Sequence, residues 1–225
     1  MDSANLFASF FERNLQKEQI IISPAIEIKF FSRPKILKKT TNLIFTSSNG
    51  VKAAGQAVND NIRAICVGDR TTSLASSLGY SAEKYGDNVE QLIKKLCLSK
   101  KIEGDILHIR GKYTKVDLMN RLREAGFLCH EWEGYDQIAK NLSFQALNAF
   151  KNGEKIILPI FSERSGRLLK DQIPNFDKSH IIAISSAVAN VFLDVSPASI
   201  SEAHTPDLVG MRSSTKTVLE NAHLE

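Results

Sequence analysis

Two stretches place small hydroxylic residues and a glycine directly after an apolar run. In the first, Leu43-Ile44-Phe45 leads into Thr46-Ser47-Ser48-Asn49-Gly50, and an alanine-rich helical stretch from Val51 to Val58 follows. In the second, Ile156 to Phe161 leads into Ser162-Glu163-Arg164-Ser165-Gly166 and a helix through Leu168 and Leu169. A short apolar run bounded by turn residues reads as a buried strand of a parallel sheet. Ser, Thr and Asn cap helices, because their side chains accept from the orphan backbone N–H groups. Each stretch is therefore a strand, a turn and a helix N-terminus. The N–H groups and dipole at such a corner favour anions, and open α/β folds bind ligands at the carboxyl ends of their strands. Ser47, Ser48, Asn49, Ser162 and Ser165 are thus candidates for holding an anion; a capped helix without a ligand accounts for the same residues. Arg110 and Arg164 lie at strand-to-helix turns, where a guanidinium can fork onto a carboxylate. A solvated turn arginine is the alternative for each.

Behind these corners stands a strand–helix alternation. Between residues 42 and 132, Arg63 to Val67, Asp105 to Gly111 and Phe127 to Trp132 read as strands, with Tyr135 just beyond the last. Helices are expected from Leu74 to Leu78, closed by Gly79, from Asn88 to Leu98, and from Val116 to Ala125, closed by Gly126. Such alternation means parallel strands with helices on both faces. The remainder repeats the plan: a helix from Leu142 to Phe150, the strand after Lys155, and a strand from His180 to Ile184 followed by Ser185-Ser186 and another helix. Phe45 to Gly68 and Phe161 to Ser185 are nearly equal steps, which suggests two related lobes with a ligand cleft between them. Near the start, Asp2 and Ser3 can cap a helix whose Leu6, Phe7, Phe10, Phe11 and Leu15 form one apolar stripe of core residues. Gln19 to Ser23 reads as a strand stopped by Pro24. Ala25 to Phe31 alternates Ile26, Ile28 and Phe30 against Glu27 and Lys29, as a half-exposed connecting ribbon does.

Composition narrows the function. The 225 residues carry a net charge of +4, with 43% hydrophobic and 24% charged residues, as in an ordinary globular protein. The basic residues are scattered without aromatic interleaving, which argues against a nucleic-acid partner. No apolar run approaches the ~18 residues of a membrane span, and no secretory signal is present, so a cytoplasmic setting is expected. Cys66, Cys97 and Cys129 are far apart and the five histidines show no ligand spacing, which argues against a metal. His108 is expected to be a packed strand residue. The final Leu224-Glu225 reads as a cloning scar.

The order and spacing of these pieces resemble the uroporphyrinogen-III synthase family over nearly the whole chain. The resemblance rests on Phe45-Thr46-Ser47-Ser48-Asn49-Gly50-Val51, Val67-Gly68-Asp69-Arg70-Thr71, Leu107-His108-Ile109-Arg110-Gly111, Tyr135, Phe161-Ser162-Glu163-Arg164-Ser165-Gly166 and Ala203-His204-Thr205-Pro206. It implies an α/β fold of two flavodoxin-like lobes with parallel sheets, joined by a two-stranded ribbon. One lobe is discontinuous, taking residues 1–31 and 138–225. The other takes 34–132, with linkers near 25–33 and 132–138. It also implies a lyase that needs no cofactor and closes linear hydroxymethylbilane into uroporphyrinogen III. The last pyrrole ring is inverted through a spiro intermediate. By the same resemblance, Tyr135 is the catalytic phenol. Ser47, Ser48, Asn49, Thr71, Arg110, Gly111, Ser162, Arg164 and Ser165 would touch the eight-carboxylate substrate. Thr71 could instead cap the helix at Thr72-Ser73, and Tyr135 could be an amphipathic residue at a lobe boundary. The expected state is a monomer, with transient contact to hydroxymethylbilane synthase.

Two departures from the family pattern stand out. Family members begin with a strand ending in Arg-Pro, before the helix that opens this sequence; a lobe without it would carry an unpaired slot in its sheet. In the last corner, Ser185 and Val188 stand where the family has a glycine and a threonine. A diverged, non-catalytic homologue that binds a tetrapyrrole or another small polyanion is therefore the alternative function.

Overall fold

The computed structural model describes residues 3–12, 19–35, 40–58, 61–99, 102–114 and 116–222. The expectations placed on Asp2, Leu15 and Leu224-Glu225 lie outside these. The chain divides into two compact units, Met1–Glu27 with Ala139–Glu225, and Ile28–Ile138, so it passes from one to the other twice. The elements run α1 (Ser3–Phe11), β1 (Ile26–Phe30), β2 (Asn42–Phe45), α2 (Ser48–Ala54), β3 (Arg63–Val67), α3 (Asp69–Ser77), β4 (Ser81–Gly86), α4 (Val89–Ser99), β5 (Ile106–Gly111), α5 (Leu118–Glu124) and β6 (Cys129–Ala139). They continue with α6 (Phe144–Lys151), β7 (Ile156–Ile160), α7 (Glu163–Lys170), β8 (Ser179–Ala183), α8 (Ser186–Ala189), a 3-10 turn (Asn190–Phe192), β9 (Ser199–Glu202) and α9 (Leu208–Ala222).

The six-stranded sheet has the order β1-β6-β5-β2-β3-β4, and β2 to β6 are mutually parallel. β2 is wholly buried, as a strand covered by helices on both faces must be. Leu43 and Phe45 enter one core, with Val51, Ala64, Cys66, Leu107, Ile109 and Tyr135. Ile44 enters the other, with Ile65, Leu92, Leu96, Ile106 and Leu122. This alternation fixes the faces of the residues that pair in register along β5, and along β6 up to Glu133. β4 forms the far edge and carries Glu83 and Lys84, charges that discourage strand pairing with a foreign chain.

In the other unit, β7, β8 and β9 form a parallel sheet in that order. Ile181 and Ala183 face a core shared with Phe150, Leu169, Phe176 and Phe192. Ile182 faces one shared with Phe7, Phe11 and Met211. The expected α1 stripe holds at Phe7 and Phe11, whereas Phe10 is 41% exposed and lies under the Arg212 guanidinium.

The strand expected over Gln19–Ser23 is not formed. Ile20 and Ile21 pack into opposite cores, as strand residues would, but the segment joins no ladder. Among the described residues β7 pairs with β8 alone, and alternating apolar side chains make a strand only where a backbone partner lies within reach. Several boundaries also differ, among them the end of α2, at Ala54 and not at the expected Val58. α3 begins at Asp69, immediately after the turn glycine. α5 is shorter than expected, capped by Asp117. β6 runs on through Tyr135 to Ala139.

Candidate functional site

From β2 the chain steps outward to β3 and β4, then returns to the opposite flank of β2 for β5 and β6. The direction therefore reverses between β2 and β5, the kind of switch point beside whose carboxyl ends open α/β sheets bind ligands. Ser47 opens α2 in an extended conformation (φ −155°, ψ 146°), and its hydroxyl accepts from the Asn49 N–H at 3.1 Å. Gly50, one residue on, lets the helix lie directly on β5: a Cβ there would stand 2.7 Å from the Ile109 carbonyl oxygen. Ser48 and Asn49 are thereby held at the carboxyl ends of β2 and β5.

Tyr135 reaches the same edge through a bulge. β5 and β6 stay in register to Arg110↔Glu133, and the next pair is Gly111↔Tyr135, so Gly134 is the extra residue. Under strict alternation Tyr135 would follow Glu131 and Glu133 onto one face. The extra residue moves it to the other, into the core with Trp132 and Ile109. Its ring lies against Gly111, where a Cβ would stand 2.8 Å from Cε2, and meets Phe30 edge-on with centroids 6.5 Å apart. Gly134 is equally confined, since a Cβ there would stand 2.9 Å from Ala53 Cβ and from Ile109 Cγ2. The Tyr135 ring is buried. Its hydroxyl bonds to no described residue, yet it is not among the buried polar atoms without a partner, which among the described residues are Arg212 Nε and Ser214 Oγ. The hydroxyl is therefore not completely sealed from solvent.

Arg110 sits one residue before Gly111 with every donor engaged. Nε and one terminal nitrogen fork onto Glu131 at 3.0 and 3.1 Å, and that nitrogen also meets Glu133 at 3.0 Å. The other donates to the Gly111 and Lys112 carbonyl oxygens at 3.0 and 3.2 Å. Hydrogen bonding with Glu131 raises the arginine pKa and holds the Glu131 carboxyl below its ordinary value. The expectation that Arg110 forks onto a ligand thus meets a guanidinium already filled: it ties the ends of β5 and β6 together beneath the bulge. His108, two residues earlier, is buried and pushed down to about 4 by that burial, against a weaker upward pull from Glu131. Its Nε2 lies 3.2 Å from Thr46 Oγ1.

Thr71 lies in the first turn of α3, after β3, and is buried. It does not cap that helix. Gly68 is the N-cap, at φ 77°, a conformation that suits glycine, and the Thr72 hydroxyl donates to its carbonyl oxygen at 2.9 Å. In the other unit, Ser162 reproduces the geometry of Ser47 (φ −161°, ψ 149°). Its hydroxyl accepts from the Ser165 N–H at 3.1 Å and lies 2.8 Å from the Ser165 hydroxyl. Arg164 stands half-buried in the first turn of α7. Ser185 adopts the same extended cap before α8 but makes no side-chain capping bond.

The fold therefore gathers Ser47, Ser48, Asn49, Arg110, Gly111 and Tyr135 at the carboxyl edge of the six-stranded sheet. Thr71 is placed after the neighbouring strand. Ser162, Arg164 and Ser165 stand at the corresponding corner of the other unit. Sequence reasoning missed Thr46, His108, Glu131, Glu133 and Gly134 as parts of this edge. Only Gly134 carried a signal, because an isolated glycine within a strand pattern marks a bulge. Among the described residues no group of three or more His, Cys, Asp or Glu could hold a metal ion, and no helix is long and apolar enough to cross a membrane.

The family model described as "Uroporphyrinogen-III synthase HemD" matches residues 13–211. The uroporphyrinogen-III synthetase structure from Helicobacter pylori is similar at 17% identity and a TM-score of 0.67, over 86% of this chain and 91% of that one. A mutant uroporphyrinogen III synthase from Thermus thermophilus is similar at 12% identity and a TM-score of 0.55, over 97% and 95%. At these identities the likeness speaks for the fold. No curated protein sequence matches.

Proposed function

The chain belongs to the uroporphyrinogen-III synthase family, and we propose from that membership how its own residues turn linear hydroxymethylbilane into uroporphyrinogen III. The substrate loses its terminal hydroxyl as water and becomes an azafulvene cation. The last pyrrole is attacked at its substituted position to give a spiro intermediate, which fragments and recloses with that ring inverted. Closure without the inversion occurs spontaneously and gives the type I isomer. The protein's task is therefore to assist the leaving group and to hold the reacting ends in one arrangement, an orientation effect worth up to about 7–11 kcal/mol.

Tyr135 is the proton donor to the departing hydroxyl. A phenol O–H is a hydrogen-bond donor and can pass its proton to a departing hydroxyl. The observation that carries this assignment is the bulge at Gly134, which seats the ring on Gly111 at the carboxyl edge of the sheet, with its hydroxyl bonded to no described residue. Ser48, Asn49 and the Ser47 cap bind substrate carboxylates beside it, and Thr71 presents a further hydroxyl. Ser162, Arg164 and Ser165 bind carboxylates in the other unit, on the strength of the matching cap geometry. Gly111 and Arg110 act on Tyr135 rather than on the substrate, the first by making room for the ring and the second by joining β5 to β6. Hydroxymethylbilane incubated with the protein should yield type III isomer above the spontaneous type I product. An unchanged isomer ratio would instead favour a non-catalytic tetrapyrrole binder. Tyr135→Phe should lower turnover at least about tenfold, the lower end of what a positioned general acid contributes. Wild-type rates in that variant would remove Tyr135 from the reaction.

A further inference from the structure

The β2–β5 ladder ends at Phe45↔Ile109, so Thr46 is the first residue of the corner that no strand holds. His108 pairs with Ile44, two positions earlier in β2 and on the face to which Thr46 also belongs by alternation. The imidazole lies 3% exposed beneath the corner, and its Nε2 reaches past the last ladder pair to Thr46 Oγ1 at 3.2 Å. The next residue is Ser47, whose hydroxyl and carbonyl accept from the Asn49 and Gly50 N–H groups at 3.1 and 3.0 Å. Gly50 is in turn confined against the Ile109 carbonyl oxygen. The corner is thus pinned to β5 at both ends, and the histidine supplies the first pin.

We infer that His108 is a positioning residue: through Thr46 it fixes the direction in which Ser47, Ser48 and Asn49 leave the sheet, and so how tightly they hold substrate. This rests on the reading of that corner as part of the substrate site. A buried histidine is a costly choice for packing alone, because one ring nitrogen still needs a partner. The imidazole stays neutral, with its pKa pushed down to about 4 by burial, so it can exchange one hydrogen bond with the hydroxyl without carrying charge into the core.

Thr46→Val removes the hydroxyl at nearly constant volume, and Thr46→Ser retains it. Amide exchange followed by NMR at Asn49 and Gly50 reads the corner directly. The Leu92 amide, bonded to the carbonyl oxygen of Asn88 just before α4 and remote from this corner, serves as the control. Thr46→Val should speed exchange at Asn49 and Gly50 by about fivefold or more, the loss of one net hydrogen bond. It should leave Leu92 unchanged, and it should raise KM by about the same factor with kcat within about twofold. Thr46→Ser should restore both. In the background of His108→Leu, Thr46→Val should add nothing. If that background fails to fold, the valine and serine variants decide alone. Unchanged exchange at Asn49, an equal rise at Leu92, or a KM that stays put while exchange rises would each overturn the role. Failure of the family reading is visible separately, as a wild-type protein that gives no excess type III isomer.

Discussion

Gly111→Ala is the sharpest test of how Tyr135 is held. The backbone at Gly111 lies outside the left-handed region, so alanine brings no conformational strain and the perturbation is purely steric. The added methyl carbon would stand 2.8 Å from Tyr135 Cε2, 3.0 Å from Cζ and 3.2 Å from the hydroxyl oxygen. Carbon–carbon contacts settle at about 3.5–4.0 Å, so the ring must retreat by about 0.7–1.2 Å. It has little room, with Phe30 across its edge and the core of Ile109 and Trp132 around it. Overpacking of this kind destabilises by about 1–3 kcal/mol. The rate should suffer more, because a catalytic group displaced by about 1 Å forfeits on the order of 100-fold. Type III formation with purified hydroxymethylbilane should therefore fall about 10- to 100-fold in a variant still folded at the assay temperature, as circular dichroism would verify. In the Tyr135→Phe background the same alanine should cost almost no further rate, since the group it displaces no longer donates. A wild-type rate in Gly111→Ala, or an equal loss in both backgrounds, would refute the seating of Tyr135 on Gly111.

Three further outcomes follow from the same edge and its core. His108 has its pKa depressed from 6.5 to about 4 by burial, so the unfolded chain takes up this proton first as pH falls. Its contribution to stability is full above about pH 6.5 and declines by about 1.4 kcal/mol per pH unit down to about pH 4. Denaturant unfolding across that range should show this acid limb and its loss in His108→Leu; a limb that persists there belongs to other groups. Arg110→Lys forfeits the fork onto Glu131 and Glu133, and because these carboxylates are partly exposed the loss of stability should stay near ~1 kcal/mol or below. The Glu131 titration followed by NMR should move up toward the ordinary carboxylate range, kcat should fall, and KM should hold within about twofold. A large rise in KM with kcat intact would show that Arg110 binds substrate after all. Cys66 is fully buried with its thiol pushed up to about 11, and burial also raises Cys129, whereas Cys97 is half-exposed. A thiol reagent at mildly alkaline pH should label Cys97 first and leave Cys66 untouched until the protein unfolds.

The corners were legible in the sequence because their chemistry is local. Ser47 and Ser162 are a hydroxyl, a turn and a helix start within four residues, and both adopt the same extended cap. The apolar runs of β2, β3 and β5 announced buried parallel strands for the same reason. What escaped depends on partners distant in the chain. Arg110 looked like a carboxylate receptor because nothing near it in sequence reveals that the β5–β6 register sets Glu131 and Glu133 beside it. His108 looked like simple packing because Thr46 lies far away in the sequence, just past the end of another strand. β9, with its polar Ser199-Ile200-Ser201-Glu202, and α9 gave no clear apolar period and were not anticipated. Gln19–Ser23 failed for the opposite reason: its pattern is that of a strand, and no neighbouring backbone completes it.

The bulge makes residue count, more than residue type, the vulnerable quantity along β6. Losing Gly134 would only remove the bulge and leave Tyr135 opposite Gly111 on the same face, whereas one residue added between Gly134 and Tyr135 would turn everything up to Ala139 through half a revolution. Asp136, which now reaches toward Lys112, would then be the side chain driven into the apolar pocket, and the phenol would swing out among the glutamates. An insertion of one small residue with no reactive group would thus exchange a phenol for a carboxylate at the heart of the site. Relatives that vary freely in loop length elsewhere should keep the count between Trp132 and Tyr135 unchanged.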